Sequence, residues 1–187
     1  MNARSDGANE QTPLHWAASS DDVEALDALL DAGAHIEAPG AFNGVGGQLD
    51  NAVGFGQWAA ACRLVERGAR TNLWHAAAIG LTDRIEELFA ADSLPSREAI
   101  TETIWQACHG GQQAAAEYLL QRGADIDWIG YDDLTPLDTA RRSNAHQLAE
   151  WLTARGGRST TEIGARRPVA SRSSRSRNGN RRQRPTG

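Results

Sequence analysis

The chain has 187 residues, 40% hydrophobic and only 6% aromatic, which leaves room for one domain and a tail and suits closely packed, alanine-rich helices better than a strand sandwich. Its formal charge of −5 is unevenly divided: residues 1–163 hold eleven arginines and all 24 acidic residues, a charge of −13, and residues 164–187 hold the other eight arginines and no acid, +8. No run of 18 apolar residues is present, so no transmembrane helix is expected; no apolar leader is visible, so no secretory signal is expected; and Cys62 and Cys108 are too few and too far apart for a disulfide framework or a zinc site. A reducing, cytoplasmic setting follows as the expectation.

Residues 1–10 are polar and read as a flexible N-terminus. The first structured stretch is Thr12-Pro13-Leu14-His15-Trp16-Ala17-Ala18. Thr12 suits a helix N-cap and Pro13 the first helical position, where its missing N–H costs nothing. Leu14 points to a core, and the two alanines let a neighbouring helix come close. Asp21-Asp22 breaks the helix, Val23, Leu26, Leu29 and Leu30 recur at helical spacing, and Gly33 is suited to a left-handed cap. A helix pair this short cannot bury its apolar stripe alone and needs copies of itself alongside.

Copies follow in chain order. Leu49 begins the second (Ala52-Val53, Gly56, Leu64-Val65, Gly68-Ala69), and Leu73 the third (Ala76-Ala77, Gly80, Leu88-Phe89, with Asp92 in place of the closing glycine). Ile104 begins the fourth (Ala107-Cys108, Gly111, Leu119-Leu120, Gly123-Ala124), and Leu137, within a second Thr-Pro-Leu, the fifth (Ala140, Asn144, Leu152, Gly156). Thr-Pro-Leu-His-x-Ala-Ala, together with Leu-Leu-x-x-Gly-Ala-Asp-Ile-Asp at Leu119–Asp127, resembles the ankyrin repeat. The resemblance covers roughly residues 10–157 and is strongest in copies one, four and five. It implies an all-α solenoid of about five helix–turn–helix units, spanning residues 11–157, with loops projecting to one side and a surface that holds another protein.

The spacings between anchors are 35, 24, 31 and 33 residues, against about 33 for such a unit. Only Arg70-Thr71-Asn72 separates copy two from copy three, so that projecting hairpin is expected to be missing. Ser93-Leu94-Pro95-Ser96 reads as a helix start, with Ile100, Ile104 and Cys108 at spacings of four, so the fourth inner helix begins early and a second hairpin is lost. Two long loops survive, the glycine-rich His35–Gln48 and the aromatic Asp125–Leu134. A finger at each end of the stack and a notch between them is the expected shape. At the N-terminal edge, about ten polar residues offer no helix to cap the first repeat, which implies exposed apolar surface or further protein there. Residues 158–187 read as a disordered tail, and the arginine-rich 164–187 has too little to bury to offset its ordering entropy.

Candidate chemistry is sparse. The resemblance gives His15 a structural role tying turns together, Asp125 and Asp127 a role in turn structure, and Cys108 a packing slot. Cys108 and His109, adjacent on a helix, point about 100° apart and do not face each other as a nucleophile and base must. His75 and His109 could share a groove, but two imidazoles without a third ligand specify no metal. Trp16 is expected to be half-buried, and Trp74 and Trp105, in the slot held by His15 in copy one, are expected in the core. Trp128 sits with Ile129 and Tyr131 on a projecting loop, where exposed aromatics mark binding surfaces; the alternative is a loop folded back on its own repeat. The expected contact set for a protein partner is therefore Phe55, His75, Ile79, His109, Trp128, Ile129 and Tyr131, on a monomer with no catalytic, cofactor or metal site. The acidic body favours a partner with a basic surface. A nucleic-acid adaptor attached through the arginine tail is the alternative, weakly selective because the tail has no aromatic residue for stacking. The +8 tail could also lie on the −13 body.

Overall fold

The computed structural model describes residues 11–40, 47–91 and 94–165. Among them are eleven α-helices and no strand. Ten form five pairs: α1 (Pro13–Ser19) with α2 (Val23–Asp31), α3 (Gln48–Gly54) with α4 (Trp58–Glu66), α5 (Leu73–Ile79) with α6 (Thr82–Ala90), α7 (Arg97–His109) with α8 (Gln113–Gln121), and α9 (Pro136–Arg142) with α10 (His146–Ala154). The first helix of each pair packs on the first helix of the next, so α1, α3, α5, α7 and α9 form one continuous inner row.

A single hydrogen bond fixes the register of all five units. The N–H five residues beyond an inner-helix alanine donates to that alanine's carbonyl: Asp22 to Ala17, Gln57 to Ala52, Leu81 to Ala76, Gln112 to Ala107 and Ala145 to Ala140, at 2.8–3.0 Å. Closing that ring needs a left-handed residue in between, and Asp21, Gly56, Gly80, Gly111 and Asn144 take positive φ there. Asp and Asn are the non-glycine residues that tolerate this region best. The outer helices end the same way, with Ala34, Ala69, Ala124 and Gly157 donating to Leu29, Leu64, Leu119 and Leu152.

The core runs between the rows. Leu64, Leu119 and Leu152 are fully buried, and so are the inner alanines 52, 76, 77, 78, 107 and 140. Leu29, their counterpart in the first unit, is only half-buried. Trp16 departs from expectation: it is 59% exposed, because on α1 it points away from the face that Leu14, Ala17 and Ala18 bury.

Both shortened connections are present. Six residues, 67–72, join α4 to α5, and α7 is 13 residues long where the other inner helices have seven, its N-terminus capped by the Ser96 side chain accepting from the Ala99 N–H. In the third unit the N-cap falls one residue later than the repeat register would place it, at Asn72. His75 therefore takes the capping place that His15 holds in the first unit: each imidazole Nδ1 accepts from the N-cap N–H, Thr12 at 3.1 Å and Asn72 at 3.4 Å. Of the first long loop, residues 41–46 lie outside the described residues, as do residues 1–10, Asp92 and the bulk of the tail.

The ordered body passes the expected boundary at 157. Arg158 is held by Asp127, which accepts from its N–H and its guanidinium at 2.6–2.8 Å. Ser159 and Glu162 then cap a further helix, α11 (Thr160–Ala165). Thr160 docks it on the fifth unit: its N–H and hydroxyl donate to the Asp138 carboxylate, and its hydroxyl also to the Asp133 carbonyl. A disordered start at 158 is thus corrected: polar anchors order this segment without much apolar burial.

Leu119→Ala is expected to cost about 2–5 kcal/mol in urea unfolding, as a fully buried leucine truncation, and the half-buried Leu29→Ala less. Burial raises the Asp138 carboxyl, but the bonds from Thr160 and Thr135 outweigh it and hold the group below its usual range. This contribution is complete above about pH 4 and is lost as pH falls through the lower folded value. Asp138→Asn should accordingly free α11 at neutral pH, read as faster amide exchange over residues 159–165 with Tm of the repeats little changed.

Candidate functional site

Loss of two hairpins opens a concave cleft of about 790 Å³ along the inner row. The end of α3 supplies Gly54 and Phe55, the first turn of α5 supplies Leu73 and Trp74, and α7 supplies Glu102, Gln106 and His109. These three lie at i, i+4 and i+7 on one helical face, and the early start of α7 is what brings Glu102 into the wall. The Asp125–Leu134 loop closes the far end with Tyr131 and Asp132, joined by Arg142 from α9.

The wall over α7 is aromatic. Trp105, 5% exposed, meets the Tyr131 ring edge-on at 5.1 Å and carries the Arg142 guanidinium 5.4 Å from its ring centre. Arg142 is paired at the same time with Asp132. His109 crosses the stack: its Nε2 reaches the Val53 carbonyl at 3.1 Å, two units away, and its ring packs edge-on against Trp58 at 5.1 Å. A carbonyl only accepts, so the proton sits on Nε2. Burial holds the His109 pKa below its ordinary value and Arg142 adds to this, against the opposing Val53 carbonyl and Asp132.

Asp50 brings negative charge to the cleft. Its carboxylate accepts from the Gly47 N–H at 2.7 Å and lies 3.4 Å from the His75 Nε2. Burial pushes this carboxyl up, but His75 and Gly47 outweigh it and leave the group below the usual range. Glu102 is exposed and makes no ion pair among the described residues.

Phe55, His109 and Tyr131 of the expected contact set come together in this cleft. Trp128 and Ile129 lie beside it: Trp128 is half-buried, edge-on to Tyr131 at 6.2 Å, and Ile129 is 43% exposed. The loop folds back on itself, since a Cβ at Gly130 would meet the Trp128 ring at 2.1 Å. His75 is 4% exposed and presents no contact surface, and Ile79, half-buried against the core of the first units, does not line the cleft. Trp74, expected in the core, is half-buried and lines the cleft instead. Asp50, Glu102, Asp132 and Arg142 line the cleft but lie outside the expected contact set. The spacing of 102, 106 and 109 within the lengthened helix was the available signal for Glu102.

Cys108 is fully buried in the core, and burial pushes its thiol far above the ordinary range, away from nucleophilic use. Among the described residues no cluster of His, Cys, Asp and Glu could hold a metal ion, and no helix is long and apolar enough to cross a membrane.

Residues 9–41 match the family model of the ankyrin repeat. The same cap-and-alanine register then recurs four more times in the fold. The chain carries an ankyrin repeat. A solved structure similar to it is the human ASB11 ankyrin repeat domain, at 26% identity and a TM-score of 0.45, covering 79% of this chain and 71% of that one. No curated protein matches the chain. Ankyrin repeats are general protein–protein interaction modules, and the fold is in general a non-catalytic scaffold.

His15, fully buried, and His109 give this stack an acid-side weakness. Burial holds the His15 pKa below its ordinary value, against the opposing Ala38 backbone and Asp50. Both imidazoles stay neutral in the folded state at pH values where the unfolded chain, with histidine near 6.5, takes up protons. Stability is therefore full above about pH 6.5 and falls below it. Tm should drop between about pH 7.5 and 5.5, and His109→Gln should flatten that slope; a Tm independent of pH over this range would contradict the assignment.

Proposed function

We propose that the chain is a non-enzymatic docking module whose cleft takes a cationic, arginine-bearing segment of a partner protein. The observation that carries this is the combination of aromatic faces with carboxylates that no arginine pairs among the described residues. Trp74, Phe55 and Tyr131 border the cleft, Asp50 and Glu102 stand between them, and the cation there, Arg142, is already paired with Asp132. The protein's own side chains support this mode of seating. Its own arginines repeatedly lie on aromatic rings: Arg122 on Tyr118 at 3.4 Å, Arg155 on Trp151 at 3.8 Å, and Arg142 on Trp105 with a carboxylate alongside. Planar guanidinium stacks and pairs in this way better than ammonium does.

The contact set follows from this reading. Phe55, His109 and Tyr131 face the guest, joined by Trp74 and Glu102, and Trp128 and Ile129 extend the surface beyond Tyr131. His75 acts indirectly, by holding Asp50. The acidic body speeds the approach of a basic partner through long-range attraction.

Selection of displayed peptides against the protein tests the reading. Enriched sequences are expected to carry arginine, and Phe55→Ala with Tyr131→Ala is expected to weaken them at least tenfold, about 1.4 kcal/mol, while Trp16→Ala at the edge of the stack leaves them unchanged. Equal binding to the double variant, with its Tm retained, would remove the cleft from the interface.

A further inference from the structure

We infer that residues 166–187, the chain's own arginine-rich segment, occupy this cleft in the free protein and compete with the partner for it. The inference rests on the reading of the cleft as a site for cationic segments, and adds a resident occupant.

Three observations converge. The first is charge. Residues 166–187 contain eight arginines and no acidic residue, whereas the rest of the chain carries all 24 acids. Two of those acids, Asp50 and Glu102, stand in the cleft without an arginine partner among the described residues.

The second is tethering. The ordered body ends in α11, and Thr160 at its start donates to the Asp133 carbonyl, one residue from the Asp132 that closes the cleft. α11 has six residues, about 9 Å of helix. The cleft runs from α9 to α3, three helix-to-helix steps of about 8–10 Å each, or roughly 30 Å. The 22 residues that follow α11 span up to about 70 Å when extended, so every part of the cleft is within reach.

The third is fit. Arg142 already rests on Trp105 while paired with Asp132, at the end of the cleft nearest the tether. Further in, Trp74, Asp50 and Glu102 line the same cleft and supply both rings and carboxylates. A segment with arginines at several spacings can place a guanidinium at more than one of these points. Tethering gives it an effective concentration on the order of 1 mM. A free segment with a Kd of about 0.1 mM would then weaken a competitor about tenfold when tethered.

The test compares the full chain with a variant in which all eight tail arginines are glutamine, using the indole N–H signals of Trp74 and Trp105 in proton–nitrogen NMR spectra, with Trp151 on α10 as the control. The probes are a synthetic peptide of residues 166–187 and a peptide selected by display. The two chains should differ at Trp74 and Trp105 and agree at Trp151. The tail peptide should move the variant's signals to the full-chain positions, high salt should move the full chain's signals to those of the variant, and the selected peptide should bind the variant about tenfold more tightly. Identical Trp74 and Trp105 signals and equal peptide affinity in the two chains would overturn the inference. If the selected peptide still moves both indoles in that case, the cleft reading stands and only the resident tail is lost. If it moves neither, both fail. An unchanged Tm of the variant establishes that its fold is intact.

Discussion

The inner helices of this stack approach one another as closely as backbone atoms permit, and the other features follow from that approach. Ala76, Ala77 and Ala78 are fully buried, and a Cβ placed on Gly110 would lie 1.8 Å from the Ala78 carbonyl oxygen. Such contact leaves no room for any side chain at Gly110 and little for any at the alanines. It thins the third unit so far that His109, from the fourth, reaches across α5 to the Val53 carbonyl of the second. One imidazole thereby ties together units that are not neighbours, an arrangement a bulkier inner helix would block.

The cleft is the consequence of thinning combined with lost hairpins. In a regular array each unit projects a loop beside its inner helix; here the third and fourth units have spent those residues differently. The connection into α5 is reduced to residues 67–72, and residues before Ile104 extend α7 by nearly two turns. The longer helix substitutes a rigid wall for a loop, and functional side chains on rigid elements hold their positions better than side chains on loops. The far wall is less regular. Asp132 and Asp133 both have positive φ in the turn that carries Tyr131, a conformation kept in place by the Arg142–Asp132 pair and by Thr160 on the Asp133 carbonyl. The docked α11 therefore bears on the shape of the cleft as well as extending the body.

The repeat register was legible in the sequence because it depends on a few steric requirements that only certain residues meet. Alanine at the close approach, and glycine, asparagine or aspartate at the left-handed position, recur in all five units and identify them even where the rest of the motif has decayed. The first missing hairpin was legible from the anchor spacing, the second from the helix start at Ser93-Leu94-Pro95-Ser96 and the four-residue spacing of Ile100, Ile104 and Cys108. What escaped was local. Asn72 in place of a threonine one residue earlier shifted the third cap, so His75 was assigned to the groove when its ring in fact turns inward to the cap. Trp74, displaced from the histidine slot by the same shift, turned outward. The order at 158–165 escaped because it is held by hydrogen bonds between residues 31 and 22 apart, Asp127 with Arg158 and Asp138 with Thr160, which carry no periodic signature.

That one-residue shift also accounts for the charge in the cleft. In the first unit the third helical position is His15, whose imidazole closes the cap of its own helix. The second unit has Asp50 there, which closes its own cap through the Gly47 N–H and has a second oxygen to spare. Had the third unit kept its histidine in the same register, Asp50 would face an imidazole at a different height on the stack. Because His75 sits one residue later, its Nε2 meets Asp50 at 3.4 Å, and together with Gly47 it outweighs the burial that would otherwise favour the neutral acid. A carboxylate is thus kept ionised beside Trp74, which the same shift moved to the surface. The pairing of negative charge with an aromatic face in the cleft arises from a single displaced helix start.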